Sequence, residues 1–322
     1  MGLHKLGDRS NCPGCSRHER GNERAQMAKR TRYSEYHDRY PNYRLELSDD
    51  GILLMQCHTN GGSLVWDWRA HDQMSDAFAD IAGDREIKVL IHTGTGENYN
   101  ANWGRMPNGD PVEKPDYLLM PGTRGLHKLD EKAWYARHLI TNVLDIDVPM
   151  ISAVNGPCNM HSEVPLLGDI VLASEDAYFQ DASHFPRGQV PGDGQHVIWS
   201  FLAGHTRARY FLLTGMKLGA TEAKEWGVVN EVLAGDQLLD RAWELARELV
   251  KRPPLTLRYS RQLFTNPLKR AFIDELGHGL ARETYAQRAF FPFGGEMAPL
   301  DRAWDDQPWS PSDGQRSEGV PS

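Results

Sequence analysis

The stretch that decides the fold is "AVNGPCNMHSEVPLLGDIVLASEDAYFQDASHFPRGQVPGDG", residues 153–194. Its apolar runs have the length of buried strands, and glycine and proline interrupt the connections between them. His184 and Asp193 stand nine residues apart in the last connection. Histidine has a pKa near neutrality that suits proton transfer, and a neighbouring carboxylate can fix the tautomer of its ring. The stretch therefore predicts buried strands that lead into a loop carrying a general base and a carboxylate partner.

On either side of this stretch, runs of strand length alternate with segments of helical spacing. Residues 42–58 predict a hairpin of two strands around Asp49-Asp50-Gly51, and residues 87–96 predict a buried strand. Residues 71–84 predict a helix, since their apolar residues recur at helical spacing. The residues of that apolar face are Met74, Phe78 and Ile81. Strands that alternate with helices predict an α/β fold.

Further helices are predicted along the chain. Residues 130–146 predict a helix with four apolar residues near one face, and a short helix is expected to start at Thr221 and end near Gly227. Between the strands and these helices, residues 97–128 show no regular pattern, and a connection of this length indicates a functional lid or a disordered segment. The four apolar residues are Trp134, Ile140, Val143 and Leu144, and the last three helices are expected at about 237–251, 254–265 and 268–290.

The composition divides the chain into four parts. Residues 1–30 are polar and without apolar periodicity, which predicts a disordered N-terminal extension. Residues 31–235 are predicted to form the α/β core, and residues 236–298 a C-terminal helical region. Residues 299–322 are rich in helix breakers and are predicted to be a flexible tail.

Charge and hydropathy exclude several classes of partner. The 322 residues carry a formal net charge of −8, which provides no overall attraction to nucleic acid or to an anionic membrane. No run approaches the roughly 20 apolar residues of a membrane helix, and the N-terminus lacks the apolar core of a signal peptide. We therefore expect a cytoplasmic protein with no nucleic-acid partner and no membrane partner.

The cysteines give a weak indication of a metal site. Cys12 and Cys15 form "CPGC" with His18 close behind, which would supply part of a zinc site. A closed structural zinc site needs four ligands, and the sequence has no second pair at ligand spacing. Cys57 and Cys158 lie in apolar runs and are expected to be reduced core residues. We predict that the protein uses no metal.

Several motifs follow one another in the order seen in the crotonase, or enoyl-CoA hydratase/isomerase, superfamily. Residues 153–194 resemble its oxyanion turn, strand and closing P-G-x-G loop. Residues 92–104, "HTGTGENYNANWG", resemble its first oxyanion loop, and residues 207–233 resemble its long helix, L-T-G turn and following strand. The resemblance extends from Tyr43 to Ala289. It implies a ββα spiral core and a C-terminal helical region that assembles subunits into a homotrimer or a hexamer, a dimer of trimers.

Two departures from the CoA-using members narrow this resemblance. Those members carry a glycine pair where this chain has Met160-His161, and usually a glutamate where it has His184. A histidine at each place resembles a branch of β-diketone hydrolases that includes 6-oxocamphor hydrolase, which cleaves a carbon–carbon bond without CoA. The matching motifs are "SLVW" ending at Trp66, "NMHSEVP" with His161, "HFPRG" with His184, "PGDG" with Asp193 and "GLARE" ending at Glu283.

The chemistry of such a hydrolase requires these residue types. Adding water to one carbonyl of a β-diketone, with a cyclic diketone expected, needs a general base, which His184 with Asp193 on its far ring nitrogen would supply. The carbon–carbon bond then breaks in a retro-Claisen step that leaves an enolate and finally a keto acid. The enolate oxygen needs hydrogen-bond donors, which we expect from His161 and the indole N–H of Trp66.

The resemblance also implies further site residues. Glu283 would be catalytic, and Ala101 and Trp103 would bind the substrate from the first oxyanion loop. Neither a cofactor nor a nucleophilic serine or cysteine is needed for this reaction. The diketone itself is the expected small-molecule partner.

Other interpretations compete with this hypothesis. The protein is alternatively an acyl-CoA hydratase or isomerase of the same fold, in which Glu163 does the acid–base work. A third alternative is a non-catalytic binding protein, for example for RNA, although the acidic balance argues against it. Single residues also have structural interpretations: Asp193 as a turn residue, Trp66 as core, and Glu283 as a surface partner of neighbouring arginines.

Overall fold

A six-stranded sheet organises the computed structural model, which describes residues 30–101 and 122–290. The first two strands are antiparallel, and every other pair of neighbours in this sheet is parallel. In sheet order the strands are β1 (Tyr43–Leu47), β2 (Ile52–Cys57), β3 (Val89–Gly94), β4 (Met150–Val154), β5 (Ile170–Ser174) and β8 (Glu231–Leu233). A second, antiparallel pair consists of β6 (Tyr178–Phe179) and β7 (Leu218–Gly219). The predicted α/β class and the hairpin at residues 42–58 are confirmed.

Nine α-helices surround these strands within the described residues. They are α1 (Tyr33–Tyr36), α2 (Trp68–Gly83), α3 (Gly122–Asp145), α4 (Glu163–Leu166), α5 (Gln195–Ala203), α6 (His205–Thr214), α7 (Ala220–Glu225), α8 (Gly235–Leu249) and α9 (Pro254–Phe290). Among the helices of residues 30–101 and 122–290, none has an apolar stretch of the length a bilayer requires. The predictions for residues 1–29, for residues 102–121 of the 97–128 segment, including Trp103, and for residues 291–322 lie outside the described residues.

The sheet is buried on both faces because helices cover each side. Along β2, Leu53 and Met55 join one apolar cluster, while Ile52 and Leu54 join another on the opposite face. This alternation follows from the two-residue period of a strand. The first cluster includes the buried face of α2, and the second includes Leu238, Ala242 and Ala246 of α8. A mostly parallel sheet needs this cover on both faces.

The prediction of two helices at 254–265 and 268–290 was wrong, because α9 runs unbroken from Pro254 to Phe290 with Pro267 inside it. An interior proline removes one helical hydrogen bond and costs about 3 kcal/mol. Tertiary contacts on both sides of Pro267 hold the helix together. Arg258 donates to the Ile87 carbonyl (2.7 Å), and the Phe272 ring is buried in the core.

Helix α3 differs from its prediction in two respects. The helix begins at Gly122, so the last residues of the 97–128 segment are helical rather than irregular. Trp134 does not share the buried face, since it is 47% exposed and stacks on His138, whereas Val143 is buried. At about 100° per residue, nine positions place Trp134 on the side opposite Val143. The helical position rather than the apolar character of Trp134 decides its exposure.

Candidate active site

His184 lies in the turn after β6 with a carboxylate at each ring nitrogen. Its Nδ1 is 2.7 Å from Asp181 Oδ1, and its Nε2 is 3.3 Å from Asp193 Oδ2. All three side chains are buried. The structure thus brings together the histidine and the aspartate that the sequence singled out, but their arrangement differs from the one expected. Asp181 takes the place at the far ring nitrogen, and Asp193 faces the other nitrogen.

Local chain geometry explains this exchange of places. Asp181 precedes His184 by three residues, and the segment is fixed because the Gln180 and Ala182 N–H groups donate to the Cys158 and Asn159 carbonyls. Asp193 arrives from the other side through the "PGDG" turn. Asp193 is therefore more than a turn residue, because its carboxylate reaches the ring that Asp181 holds.

His161 forms a second histidine–carboxylate pair beside the first. Its Nδ1 is 2.5 Å from Glu163 Oε1 and 3.6 Å from Asp193 Oδ2, the same oxygen that faces His184. His161 has φ +47°, in the left-handed region that favours glycine, at the position where the CoA-using relatives were expected to carry a glycine. The backbone therefore keeps a glycine-like turn while presenting an imidazole to the site.

Trp66 stands against His161. Their ring centroids are 4.5 Å apart, and the Trp66 side chain is buried among core residues. Trp66 is therefore a core residue that also contacts His161, and its expected role as a hydrogen-bond donor stays a prediction. His71 packs edge-on against both rings, with centroids 5.8 Å from Trp66 and 5.4 Å from His161.

Glu283 of α9 closes the cluster from the other side. It is 5% exposed, and its nearest cation is Lys132 of α3, with Nζ 3.5 Å from Oε1. Arg282 instead donates to His278. Pairing of Glu283 with Arg282 at the surface was therefore a wrong alternative, because the helix turns Glu283 inward. Glu283 Oε2 and Asp193 Oδ1 are buried and accept no hydrogen bond from the described residues.

The first oxyanion loop is hydrogen-bonded to the turn that carries His161. Ala101 is half-buried at the end of the described part of that loop. The preceding residue, Asn100, ties the loop to the His161 turn: its carbonyl accepts from the Met160 N–H (3.2 Å), and its side-chain Nδ2 donates to the Met160 carbonyl (2.8 Å). These bonds connect the two loops that the resemblance assigned to the oxyanion site.

The carboxylates determine the charges of the two histidines. Burial by itself would lower the pKa of His184, but Asp181 and Asp193 outweigh it and hold the pKa well above its usual range. Glu163 likewise outweighs burial and raises the pKa of His161. Burial would raise the pKa of Asp193, but the charges of both histidines lower it. His184 and Asp193 therefore form a buried ion pair.

The two glutamates respond differently. Burial raises the pKa of Glu163 even though His161 opposes the shift, and burial raises the pKa of Glu283 against the opposing charge of Lys132. Both glutamates are thus held nearer to neutrality than a solvated glutamate.

The described residues offer two sets of possible metal ligands. His161, Glu163 and Asp193 form one set, and His184, Asp193 and Glu283 form the other, with the ligand atoms of each set within 4.8 Å of one another. Nitrogen and carboxylate ligands of this kind suit zinc and other transition metals. In the first set, however, His161 Nδ1 already contacts Glu163. The second set is the better candidate, and the prediction of a metal-free protein stays a prediction.

The sequence analysis did not identify two members of the cluster, Asp181 and Lys132. Asp181 stands three residues before His184, a spacing that puts two side chains within reach in a turn, so a local signal for it existed. Lys132 had no local signal, because it approaches Glu283 from a helix 151 residues away in the chain. Only the packing of α3 against α9 brings this cation to the site.

Comparisons with known proteins place the chain in a family. The family model described as Enoyl-CoA hydratase/isomerase matches residues 123–288. A carnitinyl-CoA dehydratase of Salmonella paratyphi B is 32% identical over 222 residues, which are 68% of this chain and 79% of that protein.

Solved structures agree with this assignment. A β-diketone hydrolase from the cyanobacterium Anabaena sp. PCC 7120, bound to (S)-3-oxocyclohexyl acetic acid, is 42% identical with a TM-score of 0.73, covering 79% of this chain and 97% of that one. An enoyl-CoA hydratase/isomerase from Mycobacterium paratuberculosis shares the fold at 19% identity and a TM-score of 0.67, covering 77% of this chain and 94% of that one. The chain belongs to the enoyl-CoA hydratase/isomerase family of the crotonase superfamily.

Proposed function

We propose that this protein is a hydrolase that cleaves a carbon–carbon bond of a β-diketone and releases a keto acid. The observation that carries the proposal is that His161 and His184 converge on one oxygen of Asp193, at 3.6 and 3.3 Å. A 42% identical neighbour is a β-diketone hydrolase bound to a compound with one ketone and one carboxylic acid, which are the two groups that hydrolysis of a diketone creates.

The His184–Asp193 pair has the character needed to activate water. Within the ion pair Asp193 is the unprotonated member, so it takes up the proton of water as the water adds to one carbonyl. A positioned base contributes ~10²–10⁴-fold. The tetrahedral intermediate collapses to a carboxylic acid, and the electron pair of the broken carbon–carbon bond moves into the enolate of the second carbonyl. The same pair then returns a proton to the enolate carbon, so the reaction consumes one water and no other reagent.

His161 suits the stabilisation of the enolate. Glu163 contacts its Nδ1 and raises the pKa of the ring, which leaves Nε2 as the atom that would donate to the enolate oxygen. The indole of Trp66 packs on this ring at a tilt of 36°, fixes its orientation and would add a second donor. These donors act on charge that develops only as the carbon–carbon bond breaks.

An acyl-CoA hydratase or isomerase is the second candidate, because the sequence relative named above is a carnitinyl-CoA dehydratase. That chemistry would use Glu163 as its acid and base. Both carboxylate oxygens of Glu163 are engaged, however: Oε1 contacts His161 Nδ1 and Oε2 accepts from Gln195 Nε2. Glu163 is also fully buried. The engaged and inaccessible carboxylate favours the diketone hydrolase.

One substrate panel separates the candidates. Purified protein is incubated with cyclic and bicyclic 1,3-diketones in ¹⁸O-labelled water, and in parallel with crotonyl-CoA and carnitinyl-CoA. We expect loss of diketone absorbance and one ¹⁸O atom in the new carboxylate, without added CoA. His184→Ala should lower this turnover by ~10²–10⁴-fold, whereas His205→Ala, at an exposed histidine of α6, should leave it unchanged. Hydration of crotonyl-CoA or dehydration of carnitinyl-CoA, with every diketone left intact, would overturn the proposal.

The metal-free character is tested with the same substrate. We expect that exhaustive EDTA treatment followed by gel filtration leaves turnover unchanged. Activity lost on chelation and restored by Zn²⁺ would instead assign the metal role to His184, Asp193 and Glu283.

We also propose that the protein assembles into trimers or hexamers through α9. This helix carries large apolar side chains at high exposure, which is typical of an interaction surface. They are Leu255, Tyr259, Leu263, Phe264 and Ile273. Sedimentation equilibrium should give a mass three or six times that of the chain, and Phe264→Glu should lower it. A wild-type mass equal to one chain would contradict the proposal.

A further inference from the structure

Asp181 makes the shortest contact with His184, and the mechanism above assigns it no part. Its Oδ1 lies 2.7 Å from His184 Nδ1, against 3.3 Å between Asp193 and Nε2. Asp181 is 0% exposed, and its Oδ2 accepts no hydrogen bond from the described residues. A buried carboxylate is costly unless a charge or donor compensates it. The nearest compensating group is the N–H at His184 Nδ1.

The surrounding chain keeps the two side chains in this geometry. The His184 carbonyl accepts from the N–H groups of Arg187 (2.8 Å) and Gln189 (3.0 Å), so the turn is closed after the histidine. The Ser183 hydroxyl donates to the same Asp181 oxygen at 3.3 Å. The contact between Asp181 and His184 is therefore built into a short, hydrogen-bonded turn.

We propose that Asp181 is the positioning residue of the site: it accepts a hydrogen bond from Nδ1–H of His184 and so directs Nε2 at Asp193 and the substrate. The two aspartates then have different parts. Asp193 contacts Nε2 and takes up the proton that leaves water, while Asp181 holds the proton on Nδ1 and stays outside the reaction. The part in catalysis rests on the proposed function, whereas the assignment of the Nδ1 proton does not.

Other ionisable groups also face His184 and influence its titration. The carboxyl groups of Asp193 and Glu283 and the ring of His161 interact electrostatically with His184. Arg187 lies near Asp181 on the following turn. Removing the charge of Asp181 leaves all four in place, so a change in the titration of His184 reports on Asp181 alone.

The test uses NMR of protein labelled with ¹⁵N at histidine, which needs no substrate. A His184→Gln spectrum assigns the ring signals. In wild type we expect Nδ1 of His184 to carry a proton at every pH from 5 to 9. In Asp181→Asn we expect the midpoint of the His184 titration to fall by at least one pH unit, and turnover to fall by ~10²–10⁴-fold. Asp176→Asn removes an exposed carboxylate five residues earlier and should change neither quantity.

Two results would overturn the proposal. One is an unprotonated Nδ1 in wild-type His184, a measurement that remains valid if Asp181→Asn does not fold. The other is a His184 titration unchanged in folded Asp181→Asn, because a merely structural carboxylate would alter melting without moving that titration. If no diketone is hydrolysed but Nδ1 is protonated and the titration shifts, the positioning role stands and the proposed function fails.

Discussion

Replacing Gly279 by alanine should separate the two chain segments that carry Asp193 and Glu283. Gly279 of α9 crosses the backbone of Gly192 in the "PGDG" turn, one residue before Asp193. A Cβ added at Gly279 would lie 2.4 Å from the Gly192 carbonyl oxygen, whereas Cβ atoms in proteins essentially never approach other heavy atoms closer than 3.0 Å. The helix and the turn must therefore separate by about 0.6 Å, and no side-chain rotation relieves the clash because the neighbour is backbone.

The structure supplies a matched control two residues earlier in the same helix. Gly277 is exposed, and a Cβ added there meets nothing within 4 Å. Gly277→Ala should raise the free energy of unfolding by about 0.5–1 kcal/mol through helix propensity. Gly279→Ala gains the same propensity but overpacks a tight contact at a cost of ~1–3 kcal/mol. The two variants should thus differ by about 1–3 kcal/mol.

The same displacement should reduce catalysis. A misplacement of about 1 Å costs roughly 10²-fold in rate. A separation of about 0.6 Å between the carriers of Asp193 and Glu283 should therefore cost roughly tenfold in turnover. Urea unfolding measures the stability of each variant, and diketone turnover measures the rate. Equal stability and equal turnover of Gly279→Ala and Gly277→Ala would refute the reasoning, because the glycine crossing would then not position the site.

Further predictions concern the buried histidines. His184→Ala and Asp193→Asn should each cost ~10²–10⁴-fold in turnover, and the double variant little more than the worse single one, since residues acting as a unit are non-additive; losses that multiply would contradict the dyad. The fold-loss in turnover caused by His161→Ala should multiply with that of either change, because donation to the enolate is a separate role. If His161→Ala caused no further loss in the His184→Ala or Asp193→Asn variant, that separation would be contradicted. Burial lowers the pKa of His92 to about 3, so the unfolded state binds more protons than the folded state between about pH 3 and 6.5 and stability is lost as pH falls through that window. The difference in free energy of unfolding between wild type and His92→Phe, measured by urea unfolding, should therefore shrink by about 1.4 kcal/mol per pH unit below 6.5. A difference that stays constant from pH 7 to 5 would show that His92 does not titrate in this way.

The fold could be predicted because its signals are local and repeated. The turn around Gly51, which has φ +92°, and the alternating apolar residues of β2 fix the first hairpin without reference to the rest of the chain. The helical spacing of Met74, Phe78 and Ile81 likewise matches the buried face of α2. Each of these features depends on a period of two or 3.6 residues that neighbouring residues reveal.

Where the prediction failed, distant contacts outweighed the local preference. Pro267 signals a helix end to any local analysis, yet α9 continues through it because side chains before and after it are anchored in the rest of the fold. Trp134 has the apolar character of a core residue, but its angular position on α3 points it away from the core. The continuation through Pro267 cannot be seen from the residues alone, whereas the exposure of Trp134 follows from its spacing of nine residues from Val143.

The candidate site divides in the same way. The sequence by itself identified His161, His184 and Asp193, because the two histidines stand at positions where a family pattern has other residues. Only the tertiary structure decided which carboxylate faces which ring nitrogen, since Asp193 returns to His184 through a turn whose path depends on the glycine crossing with α9. It likewise brought Lys132 and Glu283, 151 residues apart, into contact. Spacing along a chain records which groups are present, whereas their charges and proton positions depend on burial and on partners that folding supplies.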